Sequence, residues 1–138
     1  PELSETIRVF SVLGRFLEHA RIYRFENGGQ PEFFIGSADW MRRNLDSRME
    51  AIMPVLDRHI KDRLEHILSV YEQDNVTAWD MLEDGTYLRR SPAAGEAPLP
   101  SQETFIGEAA LQEAEEIPQP RSTDNAGRQA RRQVSTAE

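Results

Sequence analysis

The chain is most tightly constrained between His19 and Asp39, where two short runs of strand-forming residues flank a reversal. Tyr23 and Phe25 lie on one side of Asn27-Gly28-Gly29, and Phe33, Phe34 and Ile35 on the other. Aromatic and β-branched residues suit a pleated, half-buried surface, and Asn-Gly accepts the positive φ of a tight reversal. The pattern predicts a β-hairpin. Strand side chains alternate between faces, so His19, Arg21, Tyr23 and Phe25 are expected on one face and Ala20, Ile22 and Arg24 on the other. His19 and Arg21 then present together, an imidazole that titrates near neutrality beside a permanently charged fork that fits phosphate oxygens. The second run leads into Gly36-Ser37, where a missing side chain and a hydroxyl leave room for an anion. Phosphate chemistry is the expectation.

The clearest helix starts after Asp57, a good N-cap. Ile60, Leu64, Ile67, Leu68 and Tyr71 recur at helical spacing, with Arg58, Lys61, Asp62 and Glu65 on the other side. This stripe should pack on the sheet, and Asp74-Asn75 should end the helix. Upstream, Leu3 to Thr6 is a loop, Ile7 to Leu13 alternates as a strand, and Gly14 interrupts it before residues 15–18 turn the chain toward His19. Met41 to Asp46 reads as a tight loop or helical turn. Met49 to Val55 reads as a further strand, closed by Pro54, which has no N–H to give to a ladder. Val76 to Met81 and Thr86 to Arg89 flank Glu83-Asp84-Gly85, a second hairpin signal.

Pro92, Gly95, Pro98 and Pro100 mark a linker, after which Ser101 is placed to cap a last helix over residues 103–116. Its stripe of Ile106, Ala110, Ala114 and Ile117 is thin, and such a helix needs a partner surface, expected outside this chain. From Pro118 onward the composition has little to bury and disorder is expected. The expected fold class is α/β: a mixed β-sheet with covering helices over residues 1–90, a linker and helix over 91–117, and a tail over 118–138.

With 138 residues the chain is one domain at most. Pro1 stands where an initiator methionine would, which reads as a piece of a longer polypeptide. The sequence has no cysteine, hence no disulfide staple and no thiolate metal site. No apolar run approaches the ~20 residues of a membrane span, and no signal-peptide core opens the chain. A cytoplasmic location is expected, with association at a membrane surface left open. The net charge of −8 argues against broad nucleic-acid binding. Fifteen of the sixteen basic residues are arginine, a usage that a GC-rich genome explains, so only the local positions of Arg15, Arg21 and Arg43 are informative.

His19-x-Arg21, then Glu26, then Gly36-Ser37-x-Asp39 follow the order of the phospholipase D superfamily pattern, which has His-x-Lys, an acidic residue and Gly-Ser-x-Asn. Three letters differ, Arg for Lys, Glu for Asp and Asp for Asn, and they point to a divergent branch. The longer string from Gly14 to Tyr23, continued by Phe25-Glu26-Asn27-Gly28-Gly29 and by Ser37-Ala38-Asp39-Trp40-Met41-x-Arg43-Asn44-Leu45, resembles the C-terminal domain of bacterial polyphosphate kinases. The likeness runs from about Leu3 to about Leu111.

That resemblance implies part of a phospholipase D-like domain, and a parent enzyme that moves the γ-phosphoryl group of ATP reversibly onto inorganic polyphosphate through a phosphohistidine. By residue order His19 matches the family's second histidine, which contacts nucleotide phosphates and assists transfer. The phosphorylated histidine belongs to an earlier part of the family's chain. The resemblance further implies ATP or phosphate contacts from His19, Arg21 and Ser37, and supporting roles for Asp39, Asn44 and Glu50. It also implies Mg2+ bound by ligands elsewhere, and homo-oligomers. The chain alone is expected to hold half a site and to be inactive. Two other readings stand beside this one: a single-motif phosphodiesterase or nuclease that completes its site by dimerising, and a non-catalytic interaction module.

Simpler roles are available for several of these residues. Arg21 could form a salt bridge with Glu26 or Glu18, worth little if exposed, and Arg43 could reach phosphate or pair with Asp46. His59 and His66 lie two helical turns apart, too far to clasp one metal ion, and read as surface residues. Asp80, Glu83 and Asp84 lack the ligand count of a calcium loop. The chain has no Gly-rich, Lys-containing phosphate loop, which excludes a P-loop kinase.

Overall fold

A computed structural model describes residues 5–116. The expected tail, Ile117 of the last helical stripe and part of the opening loop lie outside these residues. The hairpin forms as its residues dictate: β2 (Ile22–Phe25) pairs antiparallel with β3 (Glu32–Gly36). Asn27, Gly28 and Gly29 all take positive φ in the reversal, at 43°, 63° and 89°. Consecutive left-handed residues of this kind are tolerated by asparagine and glycine and strained for others. β2 starts at Ile22, later than expected, and His19 to Arg21 approach it as irregular chain.

A third strand, β4 (Ile52–Val55), pairs antiparallel with β3 and completes the order β2-β3-β4. Pro54 therefore sits on an edge strand, where its missing N–H costs no ladder bond. Between β3 and β4 lies a short helix, α1 (Arg42–Ser47). α2 (Arg58–Gln73) then crosses the sheet, with Asp57 Oδ1 accepting the Ile60 N–H at 3.0 Å as its N-cap. Register puts Ile22, Ile35 and Met53 in one row and Arg24, Phe33 and Val55 in the next. Phe33, Val55 and Leu64 form the buried core with Ile22, Ile35, Ile67 and Leu68 around it. Each such side chain, fully buried, contributes roughly 1.5–3 kcal/mol.

The remaining strands do not extend this sheet. β1 (Phe10–Val12), β5 (Ala78–Met81) and β6 (Tyr87–Arg89) form a second three-stranded sheet in the order β1-β5-β6. The α/β class with covering helices is observed, but two antiparallel sheets stand where one mixed sheet is expected. α2 ends at its C-cap Asp74, and the strand that follows it pairs with β1 and not with β4. The β5–β6 hairpin turns at Gly85, with φ of 81°, as its Asp-Gly signal predicts.

Asp74 is the structural hub of the second half. Its side chain is fully buried and accepts from the backbone N–H of Val76, Thr77 and Ala78, from the Thr77 hydroxyl and from the Ser101 N–H. One carboxylate thus ends α2, starts β5 and caps α3 (Ser101–Glu116). Burial alone would push its pKa up. The hydrogen bonds from Thr77, Ser101 and Val76 outweigh that and hold the carboxyl well below the usual range. Ser101 is thus the first residue of α3, capped from a distance, in place of the expected cap residue. α3 also finds part of its partner surface within the chain: Phe105 packs edge-on to Tyr71 of α2, with ring centroids 5.2 Å apart, and Glu108 meets His66 at 2.8 Å.

Candidate functional site

Where the end of β3 meets the approach to β2, His19, Ala20, Arg21, Ile22, Gly36 and Ser37 open onto a cleft of about 570 Å³, floored by Leu64 and Ile67. His19 is exposed at its rim and is not buried beneath α2. His19, Arg21 and Ser37 therefore line one cavity, but Ala20 and Ile22 line it too, because residues 19–21 are irregular chain and the expected alternation of faces does not hold there.

Arg21 is anchored from two sides. One guanidinium nitrogen donates to the His19 carbonyl at 2.5 Å and another to Asp39 Oδ2 at 3.1 Å. Its carboxylate partner is Asp39, and neither Glu18 nor Glu26 fills that place. Glu26 instead binds Arg24, and Glu18 is engaged elsewhere. Because the Arg21 guanidinium holds the His19 main chain, the two residues act as one unit. Two of the five guanidinium N–H donors are used in these bonds, which leaves others for an anion. Asp39 thus acts on Arg21, and Tyr23 secures the same segment by donating its hydroxyl to the Ala38 carbonyl at 2.8 Å.

Ser37 is fixed as firmly. Its hydroxyl donates to Glu50 Oε2 at 2.5 Å and accepts the Ala51 N–H at 3.1 Å, while its own N–H reaches the Ala51 carbonyl at 3.0 Å. Glu50 supports Ser37, and no hydrogen bond from it to the His19 ring occurs among the described residues. Gly36 has a packing reason beside any role toward an anion: a Cβ there would come within 2.7 Å of the Ala51 carbonyl oxygen. Asn44 is buried within α1, and its side-chain oxygen has no partner among the described residues. Arg43 does not pair with Asp46, which is taken by Arg42.

A larger cavity, of about 680 Å³, lies by the β2–β3 turn, but its cations Arg24, Arg58 and Lys61 face Glu32, Asp62 and Glu65 and the charges offset. His66 is more than a surface residue, since it joins α2 to α3 through Glu108. Gln102, for which the sequence offers no local signal, reaches back 86 positions to the segment before His19.

Residues 1–102 match the model of the polyphosphate kinase C-terminal domain 2. The chain belongs to the polyphosphate kinase family. It is 54% identical over 104 residues to the polyphosphate kinase of Parasynechococcus marenigrum, covering 75% of this chain and 15% of that protein. It is 44% identical over 106 residues to the enzyme of Pseudomonas aeruginosa, covering 77% and 15%. The crystal structure of polyphosphate kinase from Porphyromonas gingivalis superposes with a TM-score of 0.75 at 34% identity, over 83% of this chain and 18% of that one. The chain thus spans about 15% of the length of the curated polyphosphate kinases it matches. No helix among the described residues is long and apolar enough to cross a membrane.

Proposed function

We propose that this chain forms one wall of the phosphoryl-transfer site of an ATP-polyphosphate phosphotransferase. His19 is the group facing a phosphohistidine supplied by another part of the parent enzyme. In the forward step a histidine nitrogen outside this chain bonds to the γ-phosphorus as the bond to the β-phosphate bridging oxygen breaks and ADP leaves. A terminal phosphate oxygen of polyphosphate then attacks the same phosphorus and the P–N bond breaks. The observation that carries this reading is the single cleft shared by His19, Arg21 and Ser37. An imidazole can hold or move a proton at a phosphate oxygen near neutral pH, and a clamped guanidinium can take two phosphate oxygens at once.

Magnesium has no donor set here. Asp39 holds Arg21, Glu50 holds Ser37, and no metal-holding group of histidine, aspartate and glutamate occurs among the described residues. No step above passes through the metal, whose place in the proposal is with the nucleotide in the parent enzyme. Homo-oligomeric assembly of that enzyme belongs to the same proposal. The exposed Trp40, Met49 and Leu56 support cover by further polypeptide. The family match favours a kinase over a phosphodiesterase or an interaction module.

The test is His19→Ala in the full-length parent. Turnover should fall by about 10²–10⁴-fold, the usual contribution of a positioned acid–base group, with little change in unfolding temperature. His59→Ala, at an exposed position of α2 away from the cleft, should leave turnover unchanged. A His19→Ala enzyme of normal turnover would remove His19 from the mechanism.

A further inference from the structure

We propose that Gln102 is a positioning residue for His19, acting from the first turn of α3 on the backbone that delivers the imidazole to the cleft. This rests on the role given to His19 above. Gln102 is only 5% exposed, and its carboxamide is spent on residues 16–18. Its oxygen accepts the Phe16 N–H at 2.9 Å, and its nitrogen donates to the Phe16 carbonyl at 2.9 Å and to Glu18 Oε1 at 2.7 Å. This is the paired geometry of a β-ladder made by one side chain, and it fixes which way the amide points. A flipped amide would set its NH2 against the Phe16 N–H and its oxygen against two oxygens.

The loop is shaped to receive this group. Gly14 lies flat beneath the carboxamide, and a Cβ at that position would overlap it. Glu18, the last residue of the grip, is bonded directly to His19, whose carbonyl is in turn held by Arg21. The imidazole thus leaves a backbone pinned on one side by Gln102 and on the other by Arg21. Gln102 itself is anchored, because the adjacent Ser101 N–H is bound by Asp74 and Phe105 packs on Tyr71. Irregular backbone is otherwise the least determined part of a fold, and misplacing an acid–base group by about 1 Å can cost on the order of 10²-fold in rate.

Full-length parent enzyme carrying Gln102→Ala should lose tenfold or more in kcat while KM for ATP stays within about twofold, since Arg21 and Ser37 keep their own anchors on Asp39 and Glu50. In a His19→Ala background the same substitution should cost nothing further, which a general loss of folded protein could not produce. A second pair covers a failure of Gln102→Ala to fold. Gln102→Glu sets a carboxylate oxygen against both Glu18 and the Phe16 carbonyl and should lower kcat, and adding Glu18→Gln restores a donor to the first contact only and should recover part of the loss. Losses that add in the His19→Ala background, an unchanged kcat in Gln102→Ala, or no recovery in the double variant would each overturn the inference. If His19→Ala itself keeps normal turnover, the failure lies with the function proposed for His19 and Gln102 loses its object.

Discussion

At the scale of single residues, the chain separates groups that can meet phosphate from groups that hold them. Arg21 and Ser37 each have a carboxylate of their own, Asp39 and Glu50, so neither is free to wander when an anion is absent. The expected membership of the cleft was legible because a short motif carries it. The division of labour was not, since it depends on which carboxylate lands beside which donor after folding. Asp74 makes the same point for stability. Its folded pKa is depressed, so its contribution is fully present above the ordinary carboxylate value of about 4 and is lost as pH falls from there toward the folded pKa. Asp74→Asn should cost about 3 kcal/mol at pH 7, because five convergent donors lose a charged acceptor. It should also flatten the acid limb of the stability profile. Urea unfolding at pH 7 and pH 3 measures both, and equal acid slopes in the two proteins would show that the Asp74 charge is not the source.

Elements whose order comes from local pattern form where that pattern places them. The β2–β3 reversal follows from three residues that tolerate positive φ, the β5–β6 turn from Asp-Gly, and α2 from a capped apolar stripe. Asp57→Ala should therefore destabilise the chain by about 1 kcal/mol, the usual cost of an N-cap, read as a shift in the urea midpoint without a change in slope. What was not legible is long-range. β1 is shorter than the alternation of Ile7 to Leu13 suggests, and it pairs with β5 across the whole of α2. Periodicity says that a segment is a strand but not which neighbour it takes. α3 is the clearest case. Its thin stripe asks for a partner surface without naming one, and the helix is fastened by Asp74, Tyr71 and His66 and by its own Gln102 to Phe16, which are polar or aromatic contacts between distant positions.

On the scale of the whole molecule, the core is small for the apolar surface that remains. Phe33, Val55 and Leu64 are buried, while Trp40, Met49, Leu56 and Leu17 stand exposed on a chain that spans about 15% of its curated relatives. The proposed chemistry is divided in the same way. Transfer through a phosphohistidine needs a nucleophile and an opposed group across the phosphate. The chain has three histidines, of which only His19 lines the cleft; His59 and His66 lie on α2, and His66 is occupied by Glu108. Charge supports the same division, because Asp39 and Glu50 offset much of what Arg21 offers to a polyanion. The isolated chain should therefore neither make polyphosphate from ATP nor acquire phosphate from it, and any binding of polyphosphate should be weak and should fall as salt screens Arg21 and Arg15. Incubation with γ-labelled ATP, followed by separation under alkaline conditions that preserve phosphohistidine, is the direct measurement. Label retained on the purified chain, and lost in His19→Ala, would make His19 the nucleophile and overturn its assignment as the opposed group.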